Sequence, residues 1–277
     1  MSVRQILLSE KGLSRTELVS IMAHVLSVPR ERILMEPSMG LDEGQRDRIE
    51  RLIEERRRGR PLAYLLKGKE FFSEPFYVDE SVLIPRPETE LLVEEAIKII
   101  KEKGRPVTAL DMGTGSGAIG ILLSKHGAER VVCVDISPDA LSVARKNAHT
   151  HGCRGRIEFV ASDLLSGLAK GRAFDLICAN LPYVARHEWQ RLTVDVRDFE
   201  PRRALVGGRS GMEIYERYAG EVAAYLAPGG TLLCEIGGAR QAAALAGLLR
   251  KSGLATAIEK DLAGRQRVVR GSWTSLS

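Results

Sequence analysis

The chain has 277 residues, 44% of them hydrophobic, which is enough to bury one large core and a smaller one. Its formal charge is +5 with a pI near 9.1, but residues 1–80 are balanced at 14 basic and 14 acidic side chains, so the excess lies in the remainder. Cys133, Cys153, Cys178 and Cys234 show no CxxC spacing, which argues against a disulfide framework or a bound metal, and neither a signal-peptide core nor an apolar run of membrane-spanning length occurs, so a cytoplasmic protein is expected.

Residues 1–69 read as a helical N-terminal domain. Ser14 with Glu17 three residues on is a capping-box pattern, and Leu18, Ile21, Met22, Val25 and Leu26 recur at helical spacing behind it. A second helix is expected over about Asp42 to Arg58, with Ile49, Leu52 and Ile53 inward. Its tail, Arg56-Arg57-Arg58-Gly59-Arg60, is either a solvated helix end that suits the macrodipole or a contact for an anionic partner. Residues 70–86, rich in Phe71, Phe72, Phe76, Tyr77, Val78 and Val82, read as a β-hairpin linker.

Strands and helices then alternate over 87–277. Helices are expected at about Glu88–Lys103, Ala118–Lys125, Pro138–His149, Met212–Leu226 and Gln241–Lys251. Strands are expected at Val107–Met112, Arg130–Ile136, Ile157–Ala161, Phe174–Ala179, Thr231–Ile236, Ala255–Lys260 and Arg267–Arg270, with a long irregular stretch before residue 212. This alternation implies an α/β Rossmann-like fold, a mostly parallel sheet covered on both faces.

Asp111-Met112-Gly113-Thr114-Gly115-Ser116-Gly117 follows the first strand of that domain and opens a helix. Its glycines let backbone approach a ligand closely. Gly115 to Gly120 also matches the dinucleotide fingerprint G-x-G-x-x-G, with Asp135 placed 20 residues after Gly115, so a nicotinamide or flavin enzyme competes with S-adenosylmethionine (AdoMet) binding. Against the dinucleotide stand a match that begins two residues late and Asp111, which would repel a pyrophosphate and suits the cationic AdoMet better. In the AdoMet reading Asp135 accepts from ribose hydroxyls. Asp163 meets the adenine amino group while Leu164 packs on the ring; capping of the next turn is the plainer role for Asp163.

The element that decides between the two is Asn180-Leu181-Pro182-Tyr183. It ends the apolar run Phe174–Ala179, and Pro182 stops that strand, so Asn180 stands where the strand opens into a loop. An Asn side-chain oxygen and the next backbone carbonyl, on a stiff turn with an aromatic behind, form a clamp for a planar NH2 group, and Tyr183 is expected to pack against the plane of that group. Such a group belongs to an amide or an exocyclic amine, and a methyltransferase acting on one needs that clamp. His149, His151 and His187 read as solvated or loop residues, and Arg197 with Glu200 as an internal ion pair or a substrate contact.

Taken together, these stretches resemble the release-factor glutamine methyltransferases, the HemK/PrmC family, over nearly the whole chain. The matching runs are Pro61–Leu65, Glu70-Phe71-Phe72, Val82 to Glu90 (Val-Leu-Ile-Pro-Arg-Pro-Glu-Thr-Glu), the glycine loop, Asn180–Tyr183, Val196 to Pro201 and Gly211-Met212. The resemblance implies AdoMet-dependent methylation of the glutamine side-chain nitrogen (N5) in the Gly-Gly-Gln motif of peptide-chain release factors. It also implies a substrate-recognising helical domain over 1–69, and a cofactor site drawn from Asp111, Gly113, Thr114, Gly115, Ser116, Gly117, Asp135, Asp163, Leu164 and Asn180. Arg86, Thr89 and Glu90 are expected at the mouth of that site. The family's usual clamp is Asn-Pro-Pro-Tyr; Leu181 replaces its first proline and keeps the carbonyl, with extended geometry favoured by Pro182. The expected partner is a release factor bound by a monomer, without nucleic acid or membrane. The alternative is an N6-adenine or N2-guanine methyltransferase, which would require a basic, aromatic-bearing recognition domain.

Overall fold

A computed structural model describes residues 2–171 and 173–273; of the expected domain ranges, positions 1, 172 and 274–277 lie outside the described residues. Backbone contacts divide the chain into two compact units. One runs to Gly68 and includes Thr193–Phe199; the other holds Lys69–Leu192 and continues from Glu200. The irregular stretch before residue 212 thus sends one short helix to the helical unit, which the sequence pattern did not signal.

The helical unit contains α1 (Val3–Ser9), α2 (Arg15–Leu26), α3 (Arg30–Met35), α4 (Glu43–Arg57) and α5 (Leu62–Leu65). Helix α2 starts where the capping box puts it. Ser14 Oγ accepts from the Glu17 N–H at 3.3 Å and Glu17 Oε2 accepts from the Ser14 N–H at 2.9 Å, a cap worth about 1 kcal/mol. Leu18, Ile21 and Met22 of α2 bury against Ile49 and Ile53 of α4, with Val3, Ile6 and Ile33 completing the core. The basic run at the end of α4 is matched by carboxylates: Arg56 pairs with Glu17 at 2.7 Å, Arg57 with Glu10 at 2.6 Å, Arg58 with Glu54 at 3.2 Å, and Arg60 with Glu55. Of the two readings of that run, the helix end is the one these pairs favour.

The second unit opens with a hairpin, β1 (Lys69–Phe71) and β2 (Glu74–Phe76), whose Phe72 and Ser73 both have positive φ as a tight two-residue turn demands. The hairpin is shorter than the expected 70–86. After Phe76 the backbone leaves the ladder, because Asn147 captures Tyr77 on both sides: Asn147 Oδ1 accepts from the Tyr77 N–H at 2.8 Å and Asn147 Nδ2 donates to the Tyr77 carbonyl at 2.9 Å.

The chain then runs through α6 (Thr89–Lys103), β3 (Thr108–Met112), α7 (Ala118–Lys125), β4 (Arg130–Asp135), α8 (Pro138–Thr150), β5 (Ile157–Ala161), β6 (Phe174–Ala179), β7 (Val184–Ala185), α9 (Val194–Phe199, the helix assigned to the first unit), β8 (Val206–Gly208), α10 (Glu213–Glu221), β9 (Leu226–Glu235), α11 (Ala239–Lys251), β10 (Leu254–Lys260) and β11 (Gln266–Trp273), with β7 and β8 paired as a separate two-stranded sheet. The seven main strands run in the order β10-β11-β9-β6-β3-β4-β5, with β9 to β5 parallel and β10 and β11 antiparallel. Every residue of β6 is buried, as a central parallel strand requires. Phe174, Leu176 and Ile177 are each worth roughly 1.5–3 kcal/mol against exposure. One core lies on the face covered by α6 and α7, the other on the face covered by α10 and α11.

The order of the strands fixes where a ligand can bind. The chain runs outward from β3 to β4 and β5, then returns to β6 on the other side of β3. The crevice at the C-terminal ends of β3 and β6 is therefore the switch point of the sheet. The glycine loop leaves β3 there and Asn180 leaves β6. Among the described residues no helix is long and apolar enough to cross a membrane.

Candidate active site

A cavity of about 410 Å³ opens at this switch point, lined by Gly113, Thr114, Gly115, Ser116, Asp135, Asp163, Leu164, Asn180, Leu181 and Pro182. Arg86 and Thr89 line it as well, whereas Glu90 turns away and accepts from the Phe72 N–H at 3.0 Å. Three further residues singled out from the sequence, Asp111, Gly117 and Tyr183, are not on its wall.

The loop is shaped by its glycines. Gly113 has φ +74°, and a Cβ there would sit 3.1 Å from Leu181 Cδ2 and 3.4 Å from the Asn180 carbonyl, so only glycine lets the loop lie against the clamp. Gly117 serves packing instead: a Cβ would meet that of Ala144 at 3.0 Å, where α7 presses on α8. The loop is anchored from outside by Asn147, whose Nδ2 also donates to the Ser116 carbonyl at 2.8 Å.

Asp111 corrects the expectation that its carboxylate faces the ligand. It is wholly buried behind the loop, where Oδ2 accepts from Thr114 Oγ1 at 2.6 Å and from the Gly120 N–H at 2.9 Å. Period-2 alternation along β3 turns it, like Ala109, to the α7 side of the sheet. Burial pushes its carboxyl up to about 6 despite those two donors. Asp135, by contrast, does reach the cavity. Its Oδ2 accepts from the Gly115 N–H and its Oδ1 from the Ser137 N–H, both at 2.9 Å, leaving a lone pair on each oxygen for a diol. Burial raises its pKa, opposed by those N–H groups.

Asp163 is ion-paired to Arg217 at 2.7 Å at the exposed rim. Leu164 holds φ +51°, a costly conformation for a branched residue, kept by Ser162 Oγ, which donates to the Leu164 carbonyl at 2.9 Å and accepts from the Gly167 N–H at 2.7 Å. Ile136, 58% exposed, supplies apolar wall beside Asp135. The sequence reading passed over it as the last residue of a strand.

At the clamp, Asn180 Nδ2 donates to Thr89 Oγ1 at 3.1 Å. That contact fixes the carboxamide so that Oδ1 points away from Thr89. Among the described residues neither Asn180 Oδ1 nor the Leu181 carbonyl receives a protein donor. The Leu181 N–H donates to Tyr215 Oη at 3.3 Å, a bond proline could not make, and Tyr215 donates in turn to the Glu235 carbonyl at 2.5 Å. Gly207 of β8 lies so close beneath the turn that a Cβ would be 2.2 Å from the Pro182 carbonyl. Tyr183 is the second correction. Its hydroxyl reaches Glu235 Oε1 at 3.4 Å and its carbonyl accepts from Gln241 Nε2 at 2.7 Å, so it braces the turn from behind instead of lining the cavity. Burial raises its phenol well above the usual range.

Glu200 holds the mouth: its Oε1 pairs with Arg86 at 2.5 Å and its Oε2 accepts from the Ile84 N–H at 3.2 Å. The ion pair expected between Arg197 and Glu200 is therefore made by Arg86, while Arg197 pairs with its neighbour Asp198. Tyr215, Glu235, Asn147 and Gly207 all act on the site from positions whose local sequence is ordinary for a helix, strand or turn. No spacing in the sequence marks them.

The cavity fits AdoMet on the chemistry of its walls. A side chain at Gly115 would meet nothing nearer than the Gly113 carbonyl at 4.0 Å, so the space it would fill is open for a ligand held by backbone. Asp135 offers a carboxylate to a diol, and Ile136 and Leu164 offer apolar surface to a flat ring.

Comparison with known proteins agrees with this geometry. Residues 109–199 match the methyltransferase domain family, and residues 5–66 match the PrmC N-terminal domain. The release factor glutamine methyltransferase of Nitratidesulfovibrio vulgaris is 38% identical over 90% of this chain and 85% of its own length. That of Bordetella pertussis is 37% identical over 98% of this chain and 99% of its own. Among solved structures, the ribosomal protein L11 methylase of Lactobacillus delbrueckii subsp. bulgaricus superposes with a TM-score of 0.51 at 20% identity, covering 68% of this chain and 81% of that one, which speaks to the fold.

Proposed function

We propose, because this chain belongs to the family of release factor glutamine methyltransferases, that it transfers a methyl group from AdoMet to the side-chain amide nitrogen (N5) of the glutamine in the Gly-Gly-Gln motif of peptide-chain release factors. The observation that carries this reading is the orientation of Asn180. Its NH2 is committed to Thr89, which leaves Oδ1 and the Leu181 carbonyl as two adjacent acceptors at the cavity wall.

A carboxamide nitrogen is a poor nucleophile because its lone pair is delocalised into the carbonyl. Asn180 Oδ1 and the Leu181 carbonyl each accept one of its N–H bonds, which holds the nitrogen in place and favours pyramidalisation, so that its lone pair faces the cofactor. Positioning of this kind is worth up to roughly 7–11 kcal/mol. AdoMet, when bound, supplies a methyl group on a positively charged sulfur with a good leaving group. As positive charge develops on nitrogen the two accepted hydrogen bonds strengthen, so the clamp stabilises the transition state more than the ground state. The methylated nitrogen is then acidic and loses its proton late, which calls for no strong base. Pro182 stiffens the turn, and Tyr183 braces it.

In this reading Gly113, Thr114, Gly115, Ser116, Asp135, Asp163 and Leu164 hold the cofactor. Asp111 and Gly117 shape the loop that does so, and the helical unit holds the release factor. The paired arginines at the end of α4 give no support to a nucleic-acid substrate. The test is to incubate the protein with methyl-labelled AdoMet and purified release factor, wild type or with the motif glutamine changed to alanine. Label on the wild-type factor alone supports the proposal. Label on the variant, or on RNA and never on the factor, overturns it.

A further inference from the structure

Glu235 is a buried carboxyl that the mechanism above does not use. It ends β9, where the ladder pairs Ala179 with Cys234, so one step further along sets Glu235 beside Asn180. Alternation puts both on the α6 side of the sheet, with Leu233 and Cys178 below them. Residue 235 is 1% exposed, and among the described residues Oε2 is buried without a formed hydrogen bond while Oε1 has only the long contact from Tyr183. The Thr89 hydroxyl favours the charged form of this carboxyl, although no hydrogen bond is formed between them, and the same Thr89 oxygen accepts from Asn180 Nδ2. A hydroxyl has one proton. If that proton goes to Glu235, the oxygen can only accept from Asn180.

We propose that Glu235 is a positioning residue for the clamp: as a carboxylate it draws the Thr89 proton, which obliges Asn180 to give Thr89 its NH2 and so turns Asn180 Oδ1 to the substrate. This rests on the function proposed above. Protonation of Glu235 reverses the polarity. The carboxyl then donates to Thr89, the Thr89 proton is released towards Asn180, and the carboxamide is satisfied only after a half-turn. The flipped Asn180 presents N–H groups to the N–H groups of the substrate amide, and the clamp fails.

The surroundings set where this happens. Burial is the chief cause that lifts Glu235, to about 7, and Glu88 at the start of α6 lifts it further, while Thr89, Tyr183 and Arg267 of β11 act the other way. Arg267 is shared with Asp261 at 3.1 Å and Glu88 at 3.8 Å. On β6 the facing neighbours are Asn180 and Cys178, whose thiol burial pushes well up and keeps neutral. Asp111 of β3 lies on the same face and is raised to about 6, so two carboxyls there change charge near neutral pH, and of the two Glu235 is the one beside Asn180.

The experiment has two arms. In the first, the pH dependence of turnover on release factor is measured for wild type, Glu235→Gln, Thr89→Val and Thr89→Ser. Wild type is expected to lose activity below about pH 7, Glu235→Gln to lose that acid limb, and Thr89→Val to turn over about tenfold more slowly with its KM for AdoMet within threefold. Thr89→Ser, which keeps the hydroxyl, is expected to restore the wild-type profile. In the second arm the Asn180 side-chain amide and the Glu235 carboxyl are followed by NMR without cofactor. Their signals are expected to titrate with one midpoint in wild type, and the Asn180 signal to stop responding in Thr89→Val. An unchanged acid limb in Glu235→Gln, or an Asn180 signal indifferent to Glu235, overturns the proposal. If wild type methylates no release factor, the proposed function falls, and the NMR titration still decides the coupling.

Discussion

Replacing Asn147 with leucine keeps the branched shape of a buried residue and removes its three hydrogen bonds to the Tyr77 N–H, the Tyr77 carbonyl and the Ser116 carbonyl. At about 1 kcal/mol net each, their loss destabilises the sheet unit by about 3 kcal/mol. The bond to the Ser116 carbonyl is buried, so the value should not fall much below that; Tyr77 is half-buried and can be rehydrated, so it should not rise far above. Both tryptophans, Trp189 and Trp273, belong to the sheet unit, so urea unfolding followed by tryptophan fluorescence reports on the right part of the chain. The midpoint should fall with the slope unchanged. The tether on Ser116 also holds the glycine loop, so AdoMet affinity, measured by calorimetry, should weaken about fivefold, the equivalent of one such bond. A stability loss below about 1 kcal/mol, or an unchanged affinity, would refute the reasoning that Asn147 anchors the loop.

Three other predictions follow the same logic. Asp111 has its carboxyl raised from 3.8 to about 6, so its contribution to stability is present below pH 3.8 and is lost as pH rises through 6; Asp111→Asn should remove about 3 kcal/mol of that pH dependence in unfolding measured from pH 4 to 8. Gly207→Ala forces a Cβ against the Pro182 carbonyl, and backbone cannot give way as a side chain can, so a loss of about 1–3 kcal/mol is expected. Its turnover should drop more than its AdoMet affinity, as paired kinetics and calorimetry would show. Leu181→Pro should lose the bond to Tyr215, costing about 1 kcal/mol in thermal or urea unfolding, and leave turnover within a few-fold because the carbonyl stays.

Much of this architecture was legible because its signals are local. β6 reads as a strand from an apolar run interrupted by Asp175 alone, and Pro182 marks its end in the residue that stops it. The capping box at Ser14 placed the start of α2. What the sequence hid are contacts between distant positions. Tyr77 and Asn147 are 70 residues apart, and Thr89 and Asn180 are 91 apart, so neither pair leaves a periodic trace. β7 and β8 have two and three residues, too few for alternation to register. Tyr77 to Pro85 kept its β-like composition, yet its backbone pairs with side chains, Asn147 at Tyr77 and Glu200 at Ile84, and with itself in a turn at Asp79 and Val82. Asp111 was misjudged because its place at a strand end suggested the rim, whereas the pleat decides which way a side chain points, and here it points inward. Tyr183 was misjudged for a related reason: Gln241 and Glu235, far along the chain, pull it behind the turn.

The account stands on the pair of acceptors at Asn180 and Leu181, and the most direct measurement is single-turnover methyl transfer to release factor by Asn180→Ala, with AdoMet affinity measured on the same sample. Removing one preorganised partner of the reacting group should slow transfer by about 10²–10³-fold, while AdoMet binds within a few-fold of wild type. Transfer within threefold of wild type would contradict it.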